Sequence, residues 1–325
     1  MELSKIKGLL YGLAIGDAIG YGIEFMSFEK IQKDFGTVNR YVVTNTNAYK
    51  EGIFSDDTQM SISTISAILK SDNLNRETIV KNLINEYEDW YLGQNDARNR
   101  RHPGQTCLTA LKQRLMDKTT HLDYSVKINE SKGCGGIMRV APIGLLPLPI
   151  DDIINIAIDC AYITHNHPLG YYSSGFFAAI IKFLTLGMSL EESILKTIEY
   201  FKPFNDESIK QQLIPLVIKA ISLSKNNDSD IDNINLLGEG WVAEETLAIA
   251  VYCSLRYKQD YLSGVVASIN HSGDSDSTGC LTGAILGYIN GYENIPNQLI
   301  KKLEKHDIFS ILSEKLILKF DYVKE

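Results

Sequence analysis

Gly8, Gly12, Gly16 and Gly20 recur at every fourth position of an otherwise mostly apolar segment. Leu3, Ile6, Leu10, Leu13 and Ala14 share one side at helical spacing, which predicts a helix over residues 3–20. Positions four apart on an α-helix lie one above another. The four glycines therefore form a bare stripe, and a bare stripe invites another backbone to rest against it. In a chain without a membrane span this is a packing surface rather than a membrane dimerisation motif.

Helical periodicity continues along most of the chain. Further helices are predicted at 58–70, 76–92, 104–117, 151–163, 168–187, 189–201, 207–224, 241–256, 261–271, 278–291 and 297–320, the last breaking near His306-Asp307. Alternating patterns are scarce; Arg40–Thr44 is the best candidate strand. Lys225–Asn235 is polar and reads as a surface loop. A length prior of about 150 residues per domain suggests about two domains. The acidic clusters described below lie on either side of that loop and need each other, so one all-α domain over residues 1–325, an orthogonal bundle of about a dozen helices, is expected instead.

The chain has 325 residues, and its net charge of −8 gives no general attraction for nucleic acid or anionic membranes. An anionic ligand must then be held locally, by a metal, an Arg or backbone amides. The five cysteines form no Cys-x-x-Cys pair, which suits reduced thiols and a cytoplasmic location. The start of the chain lacks the pattern of a signal peptide, and no apolar run reaches the roughly 18 residues of a membrane span.

Two stretches concentrate carboxylates. Ser55-Asp56-Asp57-Thr58 precedes the apolar pattern Met60, Ile62, Ile65, Ile68, and Asp274-Ser275-Asp276-Ser277 precedes Leu281, Ala284, Ile285, Ile289. Helix capping accounts for one or two of these residues. It accounts poorly for paired carboxylates with flanking hydroxyls, found twice. Crowded carboxylates repel unless a cation joins them, and hard oxygen ligands suit Mg²⁺, Mn²⁺ or Ca²⁺ rather than zinc. Metal binding and plain capping both stay open on these residues alone. A calcium EF-hand loop is excluded, because its twelfth position is Ile285 instead of Glu. Glu24, between Ile23 and Phe25, is either an exposed loop residue or an acid/base group with a raised pKa in an apolar setting.

Ser131-Lys132-Gly133-Cys134-Gly135-Gly136-Ile137-Met138-Arg139 bares its backbone N–H groups, which suits either a tight turn or a phosphate cradle with Arg139 supplying charge. It is neither a P-loop nor a dinucleotide fingerprint. His165-Asn166-His167 lacks partners at zinc spacing, so a hydrogen-bonding role is expected for His165. Gly104, within His102-Pro103-Gly104-Gln105-Thr106, opens a helix and lines a pocket or a plain loop. Trp241 offers a flat face to a ligand or sits in the core.

Together these stretches resemble the ADP-ribosylglycohydrolase family. The resembling residues are Gly8–Glu24 (GLLYGLAIGDAIGYGIE), Ser55–Thr58, Gly133–Pro142 (GCGGIMRVAP), Thr164-His165, Gly240–Leu247 and Gly273–Gly291 (GDSDSTGCLTGAILGYING), in family order over nearly the whole chain. The resemblance implies an all-α bundle with two Mg²⁺ ions in a cleft, Mn²⁺ being a possible substitute. It implies Ser55, Asp56, Asp57, Asp274, Asp276 and Ser277 as metal ligands. It also implies an acid/base role for Glu24, Asp57 or Asp274. Gly104, Gly133, Cys134, Gly135, Gly136, Arg139, His165 and Trp241 become candidates for holding ADP-ribose.

The chain departs from the family in two ways. Ser stands at 55 and 277 where Thr is usual, losing the methyl that fixes a hydroxyl rotamer, and Cys134 replaces a frequent Asn. The implied activity is release of ADP-ribose from a modified protein side chain, with arginine first. A non-catalytic ADP-ribose-binding protein that neutralises a toxin, and a metal phosphoesterase acting on nucleotides, are the alternatives. The oligomeric state is not legible.

Overall fold

The computed structural model describes residues 2–48 and 50–322. Among them the chain forms fifteen α-helices: α1 (Leu3–Tyr21), α2 (Phe28–Phe35), α3 (Asp56–Lys70), α4 (Arg76–Gly93), α5 (Gln105–Asp117), α6 (Ile150–Tyr162), α7 (Pro168–Thr185), α8 (Leu190–Phe201), α9 (Ile214–Leu223), α10 (Asp230–Asn235), α11 (Ala243–Arg256), α12 (Tyr261–Ile269), α13 (Ser275–Asn290), α14 (Asn297–Lys302) and α15 (Asp307–Tyr322). No helix among these residues is long and apolar enough to cross a membrane.

The glycine stripe meets its partner on α13. A methyl carbon added at Gly8 would fall 2.0 Å from the Gly287 carbonyl oxygen, at Gly12 2.1 Å from that of Gly283, at Gly16 2.0 Å from that of Gly279, and at Gly20 2.2 Å from that of Ser275. The relation is reciprocal, for Gly279, Gly283 and Gly287 face the carbonyls of Gly16, Gly12 and Gly8. The two helices thus run antiparallel with their backbones in contact. α1 is buried on every side from Gly8 onward, so apart from Asp17 it is largely apolar all round rather than amphipathic. Tyr261 of α12 donates to the Gly12 carbonyl (2.9 Å), clamping the pair from one flank. α7 is buried along nearly its whole length against α6, α8 and α11, with Phe176, Phe177, Ile180 and Ile181 inside the continuous apolar core.

Several expectations are corrected. Arg40–Thr44 is not a strand. Asn47 bonds the Thr44 N–H (3.0 Å) and the Val42 carbonyl (2.6 Å), so the segment's polar groups are satisfied by a turn instead of a ladder. The polar stretch at 225–235 contains α10, whose first turn is capped by Ser229 accepting from Asp232 N–H. α2 was not expected; Ser27 caps it, but only Ile31 on it is buried, too little for a periodic signal. The segment expected over 207–224 contains a π-helical stretch, Ile209–Leu213. The break expected near His306-Asp307 is present, separating α14 from α15.

The α1–α13 contact tells stability effects apart. Gly→Ala within a helix ordinarily stabilises by about 1 kcal/mol. At Gly12 the added methyl meets backbone that cannot swing aside, and overpacking of this kind costs about 1–3 kcal/mol or more. Gly12→Ala is therefore expected to lower the midpoint of thermal unfolding by several degrees. Gly93→Ala, where only the tip of Asn99 comes within 3.9 Å, should leave it unchanged or raise it. Calorimetry of both variants checks the sign; equal effects would remove the stripe's role.

A candidate metal centre and its cleft

Asp17 is the only charged residue between Gly8 and Ile23, and it is wholly buried. Its carboxylate accepts from the backbone N–H of Ser55 (2.9 Å) and Thr58 (3.0 Å) and from the Thr58 hydroxyl. α1 thereby holds the first turn of α3 and, through its glycines, the first turn of α13. The two acidic clusters are positioned by one helix. They also touch: the Ser277 hydroxyl donates to Asp57 Oδ2 (2.8 Å) across 220 residues of sequence.

Capping and excess charge are both present. Ser55 Oγ accepts from Asp57 N–H (3.2 Å), and Asp274 Oδ1 accepts from Ser277 N–H (3.1 Å). These two residues are genuine caps. Asp56, Asp57 and Asp276 are not needed for capping, yet all three are buried. The hydroxyls of Ser55 and Ser277 are held by Asp57 at its N–H and carboxylate respectively, so hydrogen bonds do the work of the absent methyl groups.

Glu24 follows the end of α1, and its carboxylate comes together with those of Asp274 and Asp276, with one oxygen of each within 4.8 Å of the others. Glu24 Oε2 is buried without a hydrogen-bond partner; His102 Nδ1 lies 4.0 Å away, and burial lowers the pKa of that ring. An orphaned buried oxygen among carboxylates is costly unless something positive completes it. The ligand atoms gathered within 4.8 Å of one another are carboxylate oxygens. This set fits a hard divalent cation.

Electrostatics agree. Burial, then the charges of Asp276, Asp274, Asp56 and Asp57, push the Glu24 carboxyl well above the usual carboxylate range. Burial and Asp276 do the same to Asp56 and Asp57. Burial and then Asp274 raise Asp276. Asp17 is pushed up to about 7 by burial and Asp276, with its hydrogen bonds from Thr58 and Ser55 offsetting part of the rise.

These groups form the floor of a cleft of about 370 Å³, whose walls include Gly104, Gly133, Cys134, Gly135, His165 and Trp241. Gly104 N–H donates to Asp56 Oδ2 (3.3 Å) and Cys134 Sγ to Asp274 Oδ2 (2.7 Å). The glycine loop becomes a 3₁₀ turn, Cys134–Arg139, lying against the imidazole of His165. A methyl at Gly135 would come within 3.0 Å of both Cys107 Sγ and His165 Cε1. Burial, then the nearby Arg139 charge, depress His165 to about 3, so the ring stays neutral. Trp241 is not a core residue: it is 36% exposed and stacks on Phe25 (5.5 Å, 16°) at the mouth of the cleft. Phe25 holds a left-handed φ of 67° and also meets the edge of His102 at 5.7 Å.

Two substrate candidates stand elsewhere. Arg139 is fully buried behind the glycine loop. It donates to Cys160 O (2.8 Å) and Thr164 Oγ1 (2.7 Å) and lies 4.2 Å from the Tyr87 ring centroid. Its charge is used within the core rather than on a ligand. Its reach to the cleft is indirect, since Thr164 Oγ1 in turn lies 2.8 Å from His165 Nδ1. Gly136 is buried against Ala161, where it serves close packing. Ser55 likewise lies behind the cleft floor rather than in its wall. Sequence reasoning missed Asp17, whose signal was a lone carboxylate in an apolar helix. It also missed Phe25 and the His102 ring as parts of the cleft mouth, which depend on left-handed backbone that no pattern announces.

The family model described as ADP-ribosylglycohydrolase matches residues 2–324. The chain is 26% identical over 317 residues to ADP-ribosylarginine hydrolase Tri1 of Serratia proteamaculans, covering 97% of this chain and 79% of that protein. It is 24% identical over 304 residues to the ADP-ribosyl-[dinitrogen reductase] glycohydrolase of Rhodospirillum rubrum, covering 92% and 90%. A solved structure titled ADP-ribosylglycohydrolase-related protein complex shares the fold at a TM-score of 0.73, with 21% identity and 98% of each chain covered. On the extent of the family match, the chain belongs to the ADP-ribosylglycohydrolase family.

Proposed function

We propose that this protein is a magnesium-dependent hydrolase that releases ADP-ribose from modified arginine side chains. The observation that carries the metal requirement is the buried trio Glu24, Asp274 and Asp276, with an unpartnered Glu24 oxygen beside Asp56 and Asp57. Family membership supports an ADP-ribosylated substrate, and the relative named ADP-ribosylarginine hydrolase supports arginine.

Ser55, Asp56, Asp57, Asp274, Asp276 and Ser277 would hold two Mg²⁺ ions. When bound, such ions supply positive charge that orients oxygen ligands and acidifies water. The chain's own groups do the rest. The walls at Gly133–Gly135 and His165 hold the nucleotide half of the substrate, with His165 neutral and able to hydrogen-bond. The Glu24 carboxyl, Asp57 or Asp274 takes the proton from water as it attacks the anomeric carbon. The bond to the side-chain nitrogen breaks as the water arrives, through an oxocarbenium-like state, and the departing guanidine keeps the bonding pair and takes up the proton that the carboxylate has received. Phe25 and Trp241 narrow the mouth and limit the water that reaches it.

Asp56→Ala, Asp274→Ala or chelation is expected to cut release of ADP-ribose from ADP-ribosyl-arginine protein by more than about 100-fold, beyond the loss typical of an outer-shell partner. Product analysis by chromatography checks it, and an unchanged rate refutes the metal requirement.

Stability should show the same site. A carboxyl whose folded pKa is raised stabilises the fold only while protonated, so its contribution is present below its ordinary value and lost as pH rises through the folded one. For Asp17 that window runs from about 4 to about 7. The metal-stripped protein should thus melt at progressively lower temperature from pH 5 to pH 8. Added Mg²⁺ should raise the midpoint more at pH 8 than at pH 5. An equal shift at both pH values would separate the ion from these carboxylates.

A further inference from the structure

Beside the acidic cleft lies a second, larger groove of about 610 Å³ with the opposite charge. His102 lines both, so the two adjoin at that residue. Lys50, Arg98, Arg100 and Arg101 line the groove together with Glu51 and Glu304. Arg101 is spoken for: it pairs with Glu304 and donates to the Phe54 carbonyl (2.9 Å). Glu51 is neutralised by Lys302 (2.7 Å). Arg98 is 89% exposed and paired only with Asp96, two residues away, a surface pair that an incoming anion can replace at little cost. Lys50 and Arg100 have no ion pair among the described residues. In a chain of net charge −8, uncompensated positive charge is thus gathered at one edge of the cleft.

We propose that this groove docks an acidic segment of the modified protein, next to the residue that carries ADP-ribose. The inference rests on the hydrolase reading, and it adds which substrate proteins the enzyme prefers. A polypeptide whose modified side chain enters beside Glu24 and Phe25 crosses His102 to leave the cleft, and its next residues meet Arg98 and Arg100. A long polyanion suits the place less well. The uncompensated charges are too few to hold a continuous phosphate backbone. The groove does not include the glycine loop, so it is separate from the nucleotide half of the cleft.

The test uses two synthetic peptides bearing ADP-ribosyl-arginine, one flanked on both sides by three Glu and one by three Gln. The full-length protein is expected to cleave the acidic peptide with a kcat/KM roughly tenfold higher, an advantage that shrinks with added salt. The double variant Arg98→Gln/Arg100→Gln should bring the ratio of the two peptides close to one, while the affinity for free ADP-ribose stays as in the parent protein. A parent ratio of one, or a ratio that survives in the variant, overturns the proposal. So does weaker ADP-ribose binding in the variant, which would give the groove to the nucleotide. If neither peptide is cleaved, the hydrolase reading fails by itself. Fluorescence anisotropy then decides the groove: the unmodified Glu-flanked peptide should bind the parent roughly tenfold more tightly than the variant. Equal binding, or tighter binding of a labelled single-stranded RNA, overturns it.

Discussion

Everything at the cleft depends on one backbone-to-backbone contact. Two helices usually keep their axes about 8–10 Å apart because side chains stand between them. α1 and α13 leave those side chains out, and carbonyl oxygens fill the places where methyl groups would be. That closeness puts the end of α1, with Glu24 just beyond it, against the start of α13, with Asp274 and Asp276. Asp17, on the same helix, ties down the start of α3. One rigid element thus fixes three sources of carboxylate, which no loop could hold with comparable precision.

The site is arranged at the expense of stability. Five carboxylates share a buried floor, and the nearby positive charges are kept away from it. Arg139 faces Tyr87 and Cys160 O, and Arg101 faces Glu304. His165 is neutral and His102 is held lower than usual by burial. A protein selected for stability alone would place one of these cations among the acids. Leaving the positive charge to an exchangeable partner makes the floor a receptor rather than a salt bridge, the usual bargain of a functional site.

The helical class was legible because periodicity survives in elements with an apolar face, as in α3, α4 and α11. It failed where burial is slight, as on α2, and where short polar helices depend on capping, as in α10. The acidic clusters were legible as chemistry, because two carboxylates beyond the needs of a cap are conspicuous in any sequence. Their contact was not, since Asp57 and Ser277 touch only through the fold; the sequence offered the expectation that the clusters need each other, and the family resemblance made them one site. Arg139 shows the converse error. A cation beside a glycine loop reads as a phosphate ligand, yet the 3₁₀ turn rotates it inward to bond Cys160 and Thr164. Trp241 stayed ambiguous because exposure is a property of the fold around a residue, not of its neighbours in sequence.

The partners in the central contact are made far apart in time. Ser275 bonds to the Gly20 carbonyl across 255 residues. At roughly 5–20 residues per second, the glycine face of α1 waits on the order of tens of seconds for its counterpart to emerge from the ribosome. Until then a bare apolar helix has no surface to lie on, and most of the core must form around a gap. Such closure is topologically slow, because its entropy is lost before the contacts that reward it appear. Holding chaperones would find α1 available throughout that interval, and chains released early would lack a site altogether rather than possess a weak one.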